Sequence, residues 1–597
     1  MKTKVILILI SISLQVIISS CGKDFLERGP KGSLFSESLA NEQGVQGLLI
    51  GAYSLLNHNG TGASWDSGRW IFGGVASDDA HTGTEAGALQ PVPQYESYTH
   101  TAATQGLNAR WIVLFAGVQR ANDVLRVLAI TEEKQLISAE AAEQIRAEAR
   151  FLRGVYHLEA MLMWKNIPFI DETVSATNGN YFVPNSENAW PKIEEDFKYA
   201  AEKLTATKSE VGRANKWAAK SYLVKSYMFQ NKFNEAKPVV EDVITNGITS
   251  NGLKYDLSKH YFDNFQASKK NGPEQVFAIM FSVNDGAGGA RGNGPNGEGN
   301  SGPYNGPFPS YGFYQPSFTL VNSYKTDPTT GLPLINTFND SDIKHDLNIP
   351  SSQPFEPYTG TLDSRLDWIV GRRGIPFLDW GVNPGMSWVR QQSVGGPYLH
   401  MKNANHKSEP EARETGSNST ANNYNMIRFA DVLLWAAEIE VEVGDLSKAE
   451  AYVNRVRARA ANPDGWVKKY LNDSKPELGF SNTPAANYKV GLYTGQFTAQ
   501  GKAYARECVR FERKLELAME HHRFFDLQRY DQGTGYMADM LNKYIAHELA
   551  VPNYNYYYMT SAKFIKGKNE IYPIPLQQID LSRKEGTPTL TQNPNYD

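Results

Sequence analysis

The sequence has few cysteines, almost no net charge and only one long apolar run. Its 597 residues include 2 cysteines, too few for a framework of several disulfides. The 60 Lys and Arg residues face 64 Asp and Glu residues. This balance leaves no basic excess to neutralise a phosphate backbone. The composition therefore argues against a disulfide-stapled module and against a nucleic-acid partner.

The chain is long and rich in residues that build loops and flat apolar surfaces. At 597 residues it exceeds what one compact core usually holds, so two or more lobes are expected. Its 50 Gly and 30 Pro predict long irregular segments between regular elements. The 31 Tyr and 11 Trp supply amphipathic rings that suit flat polar ligands, which indicates a recognition role.

The single apolar run lies at the N-terminus. Lys2 and Lys4 precede apolar residues 5–18, and Ser19-Ser20-Cys21 follows. A charged start and a short apolar middle are typical of an export signal, and a Cys at the end of the run resembles a bacterial lipobox. We expect residues 1–20 to be removed and Cys21 to carry the lipid that anchors the protein. The alternative is an ordinary secretory signal with a Cys there by chance.

Helical periodicity appears in five parts of the chain. These are residues 109–128, 141–164, 216–243, 426–461 and 504–530. Two of them share a pattern at a constant offset of 213, found by comparing Leu223, Val224, Phe233, Ala236, Val240 and Val243 with Ala436, Ala437, Leu446, Ala449, Val453 and Val456. An apolar pair, a turn and a second apolar helix are typical of tetratricopeptide repeats. The alternative is two unrelated helix hairpins. We predict an all-α, tetratricopeptide-like scaffold of helix hairpins.

Two segments lack helical periodicity and alternate Gly, Pro and aromatic residues. They are residues 57–106 and 284–425. Ordering such a stretch costs about 1–2 kcal/mol per residue unless contacts offset the cost. We therefore expect 284–425 to be a large, loop-rich binding subdomain packed on the helices, and the two irregular surfaces to form one site.

Several segments in order resemble the SusD/RagB family of outer-membrane lipoproteins from Bacteroidetes. The resemblance covers nearly the whole chain, dividing it at 21–245 and 246–597. Its main motifs are Cys21-Gly22-Lys23-Asp24, Ala149-Arg150-Phe151-Leu152-Arg153-Gly154, Gln315-Pro316, Arg365-Leu366-Asp367-Trp368, Ile427-Arg428-Phe429-Ala430-Asp431, Glu520 with Arg523-Phe524-Phe525-Asp526, and Asn593-Pro594-Asn595-Tyr596.

The resemblance implies a lipid-anchored, surface-exposed protein of the outer membrane that binds without catalysis. We expect no cofactor and identify no metal ligands, and the sequence leaves a calcium site open. Its helices would pack on a SusC-like TonB-dependent transporter. The implied cargo is an oligosaccharide, and a peptide is the alternative within the same family.

Candidate ligand-binding residues come from the loops, because sugars present flat CH faces and hydroxyl groups to aromatic, acidic and Arg side chains. The alternative for each ring is that it fixes its loop to the scaffold. The candidates are Trp65, Trp70, Asp78, Asp79, Tyr304, Tyr311, Tyr314, Arg372, Trp380 and Trp388.

The sequence contains no complete match to the catalytic motifs that we considered. His547-Glu548 begins like a zinc-protease motif, but Val551 stands where the second His belongs. A glycosidase needs only two suitably spaced carboxylates, so the many acids leave an all-α glycoside hydrolase or lyase as an alternative. Cys508 lies in a helical segment and is expected to be a buried, inert thiol.

Overall fold

A computed structural model describes residues 36–57, 67–88, 90–287, 293, 302–307, 310–414, 419–554 and 556–596. The signal segment 1–20, Cys21 and Trp65 lie outside these residues. Within the described ranges, no helix is both long enough and apolar enough to cross a membrane.

Helices account for about 46% of the chain and strands are few and short, which confirms the predicted all-α class. In chain order the helices are α1 (Ser36–Leu39), α2 (Glu42–Ser54), α3 (Val92–Glu96), α4 (Leu107–Glu133), α5 (Ala139–Trp164), α6 (Trp190–Lys203), α7 (Lys216–Met228), α8 (Phe233–Asn246), α9 (Phe318–Asn322), α10 (Leu366–Ile369), α11 (Gln392–Gly395), α12 (Phe429–Val443), α13 (Leu446–Ala461), α14 (Gln496–Gln500), α15 (Lys502–Leu517), α16 (Arg523–Asp531), α17 (Tyr536–Ala550) and α18 (Leu576–Leu581).

The described strands form two-stranded antiparallel ribbons rather than a large sheet. They are β1 (Ala80–Gly83) with β3 (Phe313–Pro316), β2 (Gln275–Ile279) with β6 (Tyr424–Arg428), β4 (Val370–Gly371) with β5 (Leu399–His400), β7 (Lys468–Tyr470) with β8 (Phe480–Pro484), and β9 (Arg583–Lys584) with β10 (Thr587–Pro588).

The repeat at offset 213 corresponds to two helix hairpins, α7–α8 and α12–α13. Asn215 begins the first hairpin by accepting a hydrogen bond from the Ala218 amide, and Asp445 begins α13 in the same manner. The repeat alanines, Ala236 and Ala449, are fully buried. Helix α8 packs on α12, so the hairpins stack into one array with α4, α5 and α6. This arrangement confirms the tetratricopeptide-like prediction.

Helices α5 and α6 approach closely at Gly154. A Cβ atom at this position would lie 2.9 Å from the Phe197 ring. The close approach explains why Gly stands at this position within the Ala149–Gly154 motif.

Two predicted helices are interrupted in the structure. The segment 426–461 starts in strand β6, and its helix begins only at Phe429, where Asp431 accepts a hydrogen bond from the Arg428 amide. The segment 504–530 breaks between α15 and α16, where Met519 and His521 adopt positive φ angles of 63° and 68°. Apolar spacing continues across both breaks, which is why periodicity alone did not reveal them.

A buried ion cluster joins the helices to the loop-rich segment. Five cations face five carboxylates: Arg365, Lys402, Arg428, Arg457 and Arg459 against Glu274, Asp363, Glu512, Glu516 and Glu520. The residues come from the β2 edge, the 284–425 segment, β6, α13, α15 and the turn after α15. Because buried charges require partners, this balanced cluster fixes the relative positions of these elements.

The segment 284–425 contains only short helices and strands, as expected for a loop-rich subdomain packed on helices. Its Tyr324 hydroxyl donates to the Leu515 carbonyl of α15 at 2.8 Å. Ile343, Leu362 and Leu366 are fully buried. The loops therefore rest on the helical scaffold and carry a small core of their own.

Candidate functional site

Strand pairing brings the two irregular segments together. Ala80 lies opposite Pro316 and Gly83 opposite Phe313 in the antiparallel pair β1–β3. Beyond the last pair, the Thr84 amide donates to the Gly312 carbonyl at 2.7 Å. The loop after β1 and the loop before β3 consequently lie side by side. This contact fits the expectation that 57–106 and 284–425 share one surface.

Gln315 connects three loops beneath that surface. Its side chain is 2% exposed. Oε1 accepts from the Thr84 amide at 3.1 Å, while Nε2 donates to the Gly396 and Tyr398 carbonyls at 3.2 and 3.0 Å. A buried amide with both ends hydrogen-bonded holds the loop positions firmly.

Tyr304 and Trp388 lie together above these loops. The Tyr304 amide donates to the Trp388 carbonyl at 3.0 Å, and both side chains are half-buried. The edge of the Trp388 ring packs on Phe377, with centroids 5.6 Å apart and an interplanar angle of 88°. A Cβ atom on Gly306 would lie 3.5 Å from the Trp388 ring, so the glycine brings backbone close to the indole. Trp388 is thus held in place while part of its ring stays accessible.

Arg390 places a positive charge beside Tyr304 and Trp388. Its guanidinium lies 4.8 Å from the centre of the Tyr304 ring and forms an ion pair with Glu85. Its Nη1 also lies 3.5 Å from Thr84 Oγ1. The pair joins the loop after β1 to the loop before α11.

Tyr311 is the most exposed of the described candidate rings, at 62%. Its ring centre lies 5.9 Å from that of Phe313, which in turn lies 6.3 Å from that of Trp70. The three rings form a series from solvent to the interior. We call Tyr304, Tyr311, Phe313, Trp388 and Arg390 the aromatic surface.

Trp70 and Tyr314, two predicted ligand contacts, are buried instead. Trp70 is 6% exposed and Tyr314 2%. Their ring centres lie 5.8 Å apart with an edge-to-face angle of 63°. Tyr314 also packs against His400 and His521. Their burial contradicts the prediction of direct ligand contact, because both rings fill the core beneath the aromatic surface.

The acidic candidates Asp78 and Asp79 are also buried, contrary to the prediction. Asp78 accepts from Lys514 Nζ at 2.8 Å and from Arg523 Nε at 2.7 Å. These cations hold the pKa of Asp78 well below its usual range despite burial. Burial, with the neighbouring Asp78 charge, raises the pKa of Asp79 to about 7. The pair anchors β1 to the turn after α15 and is inaccessible to a ligand.

Arg372 forms a buried ion pair within its own segment and does not reach the aromatic surface. It is 3% exposed and forms a bidentate pair with Asp367 at 2.7 and 2.9 Å. The adjacent Arg373 donates to four backbone carbonyls between Ile349 and Gln353. The predicted ligand contact at Arg372 is therefore wrong, because Asp367 already engages its guanidinium.

Trp380 lies on a separate half-buried turn. Its indole Nε1 donates to the Asn405 carbonyl at 2.7 Å. The Gly381 amide of the same turn donates to the Tyr470 hydroxyl at 3.0 Å. The Trp380 indole is thus held by the Asn405 carbonyl and its turn by Tyr470 of β7, and the structure does not place Trp380 within the aromatic surface.

His81 of β1 is buried between two glutamates. His81 Nδ1 is 2.7 Å from Glu96 Oε1, and its Nε2 is 2.9 Å from Glu548 Oε2. These carboxylates outweigh the effect of burial and raise the pKa of His81 to about 9. Glu548, which belongs to the zinc-like His547-Glu548 pair, is thereby engaged in a salt bridge. Among the described side chains, no group of three or more His, Cys, Asp and Glu residues is placed to hold a metal ion.

Sequence patterns alone do not identify Phe313, Arg390 or Gln315 as site residues. Phe313 and Gln315 flank Tyr314 in the segment that resembles the family. Because Tyr314 adopts a positive φ of 57°, a strand prediction at 313–316 does not settle which side each of these residues faces. Arg390 carries no local signal, because its partners Tyr304 and Glu85 are distant in sequence.

Two protein-family models match the chain. The model described as "SusD family" matches residues 273–596, and the model described as "Starch-binding associating with outer membrane" matches residues 24–228. The SusD-like protein P25 of Formosa agariphila is 23% identical over 587 residues, which cover 94% of each chain.

Solved structures share the fold over nearly the whole length. A SusD homologue from Bacteroides thetaiotaomicron has a TM-score of 0.65 at 19% identity, covering 95% of this chain and all of that one. A laminarin-binding SusD-like protein has a TM-score of 0.60 at 20% identity, covering 93% and 100%. Surface glycan-binding protein A from B. thetaiotaomicron, solved with laminarihexaose, has a TM-score of 0.57 at 18% identity, covering 93% and 99%.

Proposed function

Since the chain belongs to the SusD family, we propose that it captures an oligosaccharide at the cell surface and delivers it, without catalysis, to a SusC-like TonB-dependent transporter. The family model that covers residues 24–228 is described as associating with the outer membrane, which supports this location. Related structures are described as binding laminarin and laminarihexaose, which supports a glycan as the ligand class.

The aromatic surface carries the proposal. It combines the exposed Tyr311 ring, the half-buried rings of Tyr304 and Trp388, and the Arg390–Glu85 ion pair. Rings stack on the CH faces of sugars, and charged groups hydrogen-bond to hydroxyls. The Gln315 hydrogen bonds hold these loops before a ligand arrives, which reduces the entropy lost on binding.

The lipid on Cys21 and the helix hairpins complete the proposal. Multiple acyl chains on Cys21 would anchor the protein stably. The stacked hairpins α7–α8 and α12–α13 would contact the transporter, leaving the loop-borne aromatic surface to meet the glycan.

Calorimetric titration against a panel of polysaccharides and peptides tests the ligand class. We expect heat of binding with at least one glycan, and Tyr311→Ala and Trp388→Ala should each weaken that binding about tenfold or more, because central aromatic contacts dominate binding energy. Tyr181→Ala is the matched control, since Tyr181 is 53% exposed on a loop outside the aromatic surface.

Three outcomes would contradict the proposal. Binding of peptides but not glycans would favour a peptide receptor of the same family. Release of new reducing ends by the purified protein would favour a hydrolase or lyase. Unchanged affinity in both aromatic variants, with melting temperatures equal to wild type, would place the site elsewhere.

A further inference from the structure

A cavity of about 50 Å³ lies where helices α4, α5, α7 and α12 meet the residues 513–526. Its charged lining consists of Arg69, Arg110, Lys225, Arg513, Glu159 and Asp526. A water molecule occupies about 30 Å³ of liquid, so the cavity has room for one or two water-sized species. It is too small for a sugar ring.

Both lining carboxylates are already shared between two guanidinium groups. Glu159 accepts from Arg69 at 3.1 Å and also pairs with Arg110. Asp526 accepts from Arg513 at 3.1 Å and from Arg529 at 2.9 Å. The fourth lining cation, Lys225, forms no ion pair with any described residue, and its burial lowers its pKa. Arg513 also pairs with Asp431, a carboxylate behind the lining, at 3.3 Å. Four lining cations therefore face three carboxylates, and Lys225 is the cation without an ion pair among the described residues.

Two further nitrogen atoms around the cavity lack a hydrogen-bond partner among the described residues. They are Arg513 Nη1 and His522 Nε2, both buried atoms. Burial lowers the pKa of His522, and the tautomer with its proton on Nε2 donates from that atom. A buried donor without a partner costs about 1–3 kcal/mol. Water could accept these hydrogen bonds, but it would not neutralise the excess positive charge.

We propose that this cavity binds a small inorganic anion of the size of chloride, held by Lys225, Arg513 and His522. An anion there accepts hydrogen bonds from the unused donors and offsets the cationic lining. By binding only the folded state, the anion should stabilise the protein by mass action.

Crystals of the wild-type protein grown in sodium bromide test the proposal directly. We expect an anomalous bromide peak inside the cavity, within hydrogen-bonding distance of Lys225 Nζ or Arg513 Nη1. A cavity that contains only water, with no anomalous signal, would overturn the proposal.

Thermal unfolding gives an independent test. At constant ionic strength, replacing sodium gluconate with sodium chloride should raise the melting temperature by about 2–3 °C at saturation, because gluconate is too large for the cavity. Lys225→Met should abolish this increase. Lys220→Met should retain it, since Lys220 lies on the same helix but pairs with Asp242. Equal responses to the two salts in the wild type would refute the proposal, and if Lys225→Met does not fold, the bromide crystals decide.

Discussion

His81 shows how one buried side chain can tie distant segments together. Its ring is fully buried between Glu96 of α3 and Glu548 of α17. Tyr556 donates to Glu96 at 2.6 Å, and the Thr319 amide at the start of α9 donates to Glu548 at 2.8 Å. An imidazolium in this position pairs with both carboxylates, so its positive charge stabilises the packing of β1 against α3 and α17.

The pKa of His81 is about 9 in the folded protein and near 6.5 in an unfolded chain. The folded state thus binds the proton more tightly. The resulting stabilisation is complete below about pH 6.5 and is lost as the pH rises through about 9. We expect His81→Gln to destabilise the protein at pH 6 by about 3–5 kcal/mol, because two buried carboxylates lose their partner.

Chemical denaturation of wild type and His81→Gln between pH 6 and 10 measures this effect. The difference in unfolding free energy should shrink toward pH 10. His406→Gln is the control, because His406 is partly exposed and lies 3.5 Å from Asp379. A difference between wild type and His81→Gln that is independent of pH would contradict the charged-imidazole assignment.

At the scale of elements, the β1–β3 ribbon determines which loop residues reach the surface. Tyr314, whose φ of 57° interrupts the regular strand geometry, packs inward on Trp70. Phe313 lies between Trp70 and the exposed Tyr311. Gln315 then secures the ribbon to the turn after α11. A short ribbon of this kind has little intrinsic stability, so these side-chain contacts maintain its register.

Gln315→Ala should weaken glycan binding without altering any ring of the aromatic surface. The substitution leaves the buried Gly396 and Tyr398 carbonyls without their donor, at a cost of about 1–3 kcal/mol. We expect faster amide hydrogen exchange in residues 84–88 and 310–316 and a lower affinity by calorimetry. Gln528→Ala is the matched control.

The Gln528 amide likewise donates to two carbonyls, those of Leu162 and Glu570, but it lies in α16. Its loss should reduce stability and leave affinity unchanged. If both variants bind glycan as well as the wild type, Gln315 has no role in positioning the loops.

The helices could be predicted from the sequence because their apolar spacing is a local property. The repeat at offset 213 gave both hairpins, including the turn at Asp445. Whether each loop side chain faces the core or the solvent could not be predicted in this manner. A ring in a Gly- and Pro-rich segment can face the core or the solvent, and only distant partners decide. Trp70 and Tyr311 both lie in glycine-containing segments without helical periodicity, but Trp70 is buried and Tyr311 exposed.

The ion-pair partners of charged residues could not be predicted from local sequence either. Arg523 and Asp526 lie three residues apart, a spacing that permits a pair. In the structure Arg523 binds Asp78, more than 400 residues away in the chain, while Asp526 binds Arg513 and Arg529. Motif residues Arg428 and Glu520 also bind each other at 2.8 Å, deep in the ion cluster. Pairings of this kind depend on the completed fold.

At the scale of the whole molecule, the buried ion cluster makes the helices and the loop-rich segment one cooperative structure. Glu516 is its centre, since it pairs with Arg365 and Arg428 at 2.9 Å each and also with Arg459. These cations hold the pKa of Glu516 below its usual range despite burial. The cluster's charges balance, so removal of one carboxylate leaves a buried cation without its full complement.

We expect Glu516→Gln to lower the free energy of unfolding by about 3–5 kcal/mol. Asp242→Asn, which breaks the partly exposed pair with Lys220, should cost less than about 1 kcal/mol. Differential scanning calorimetry measures both. A loss in Glu516→Gln no larger than in Asp242→Asn would show that the cluster does not stabilise the fold.

The proposed function requires the loop-borne rings to hold a glycan. A crystal structure of the protein with an oligosaccharide selected by the binding panel tests this requirement. We expect a sugar ring in van der Waals contact with Tyr311 or Trp388 and a hydroxyl hydrogen-bonded to Arg390 or Glu85. A sugar bound elsewhere, with these side chains still facing solvent, would contradict it.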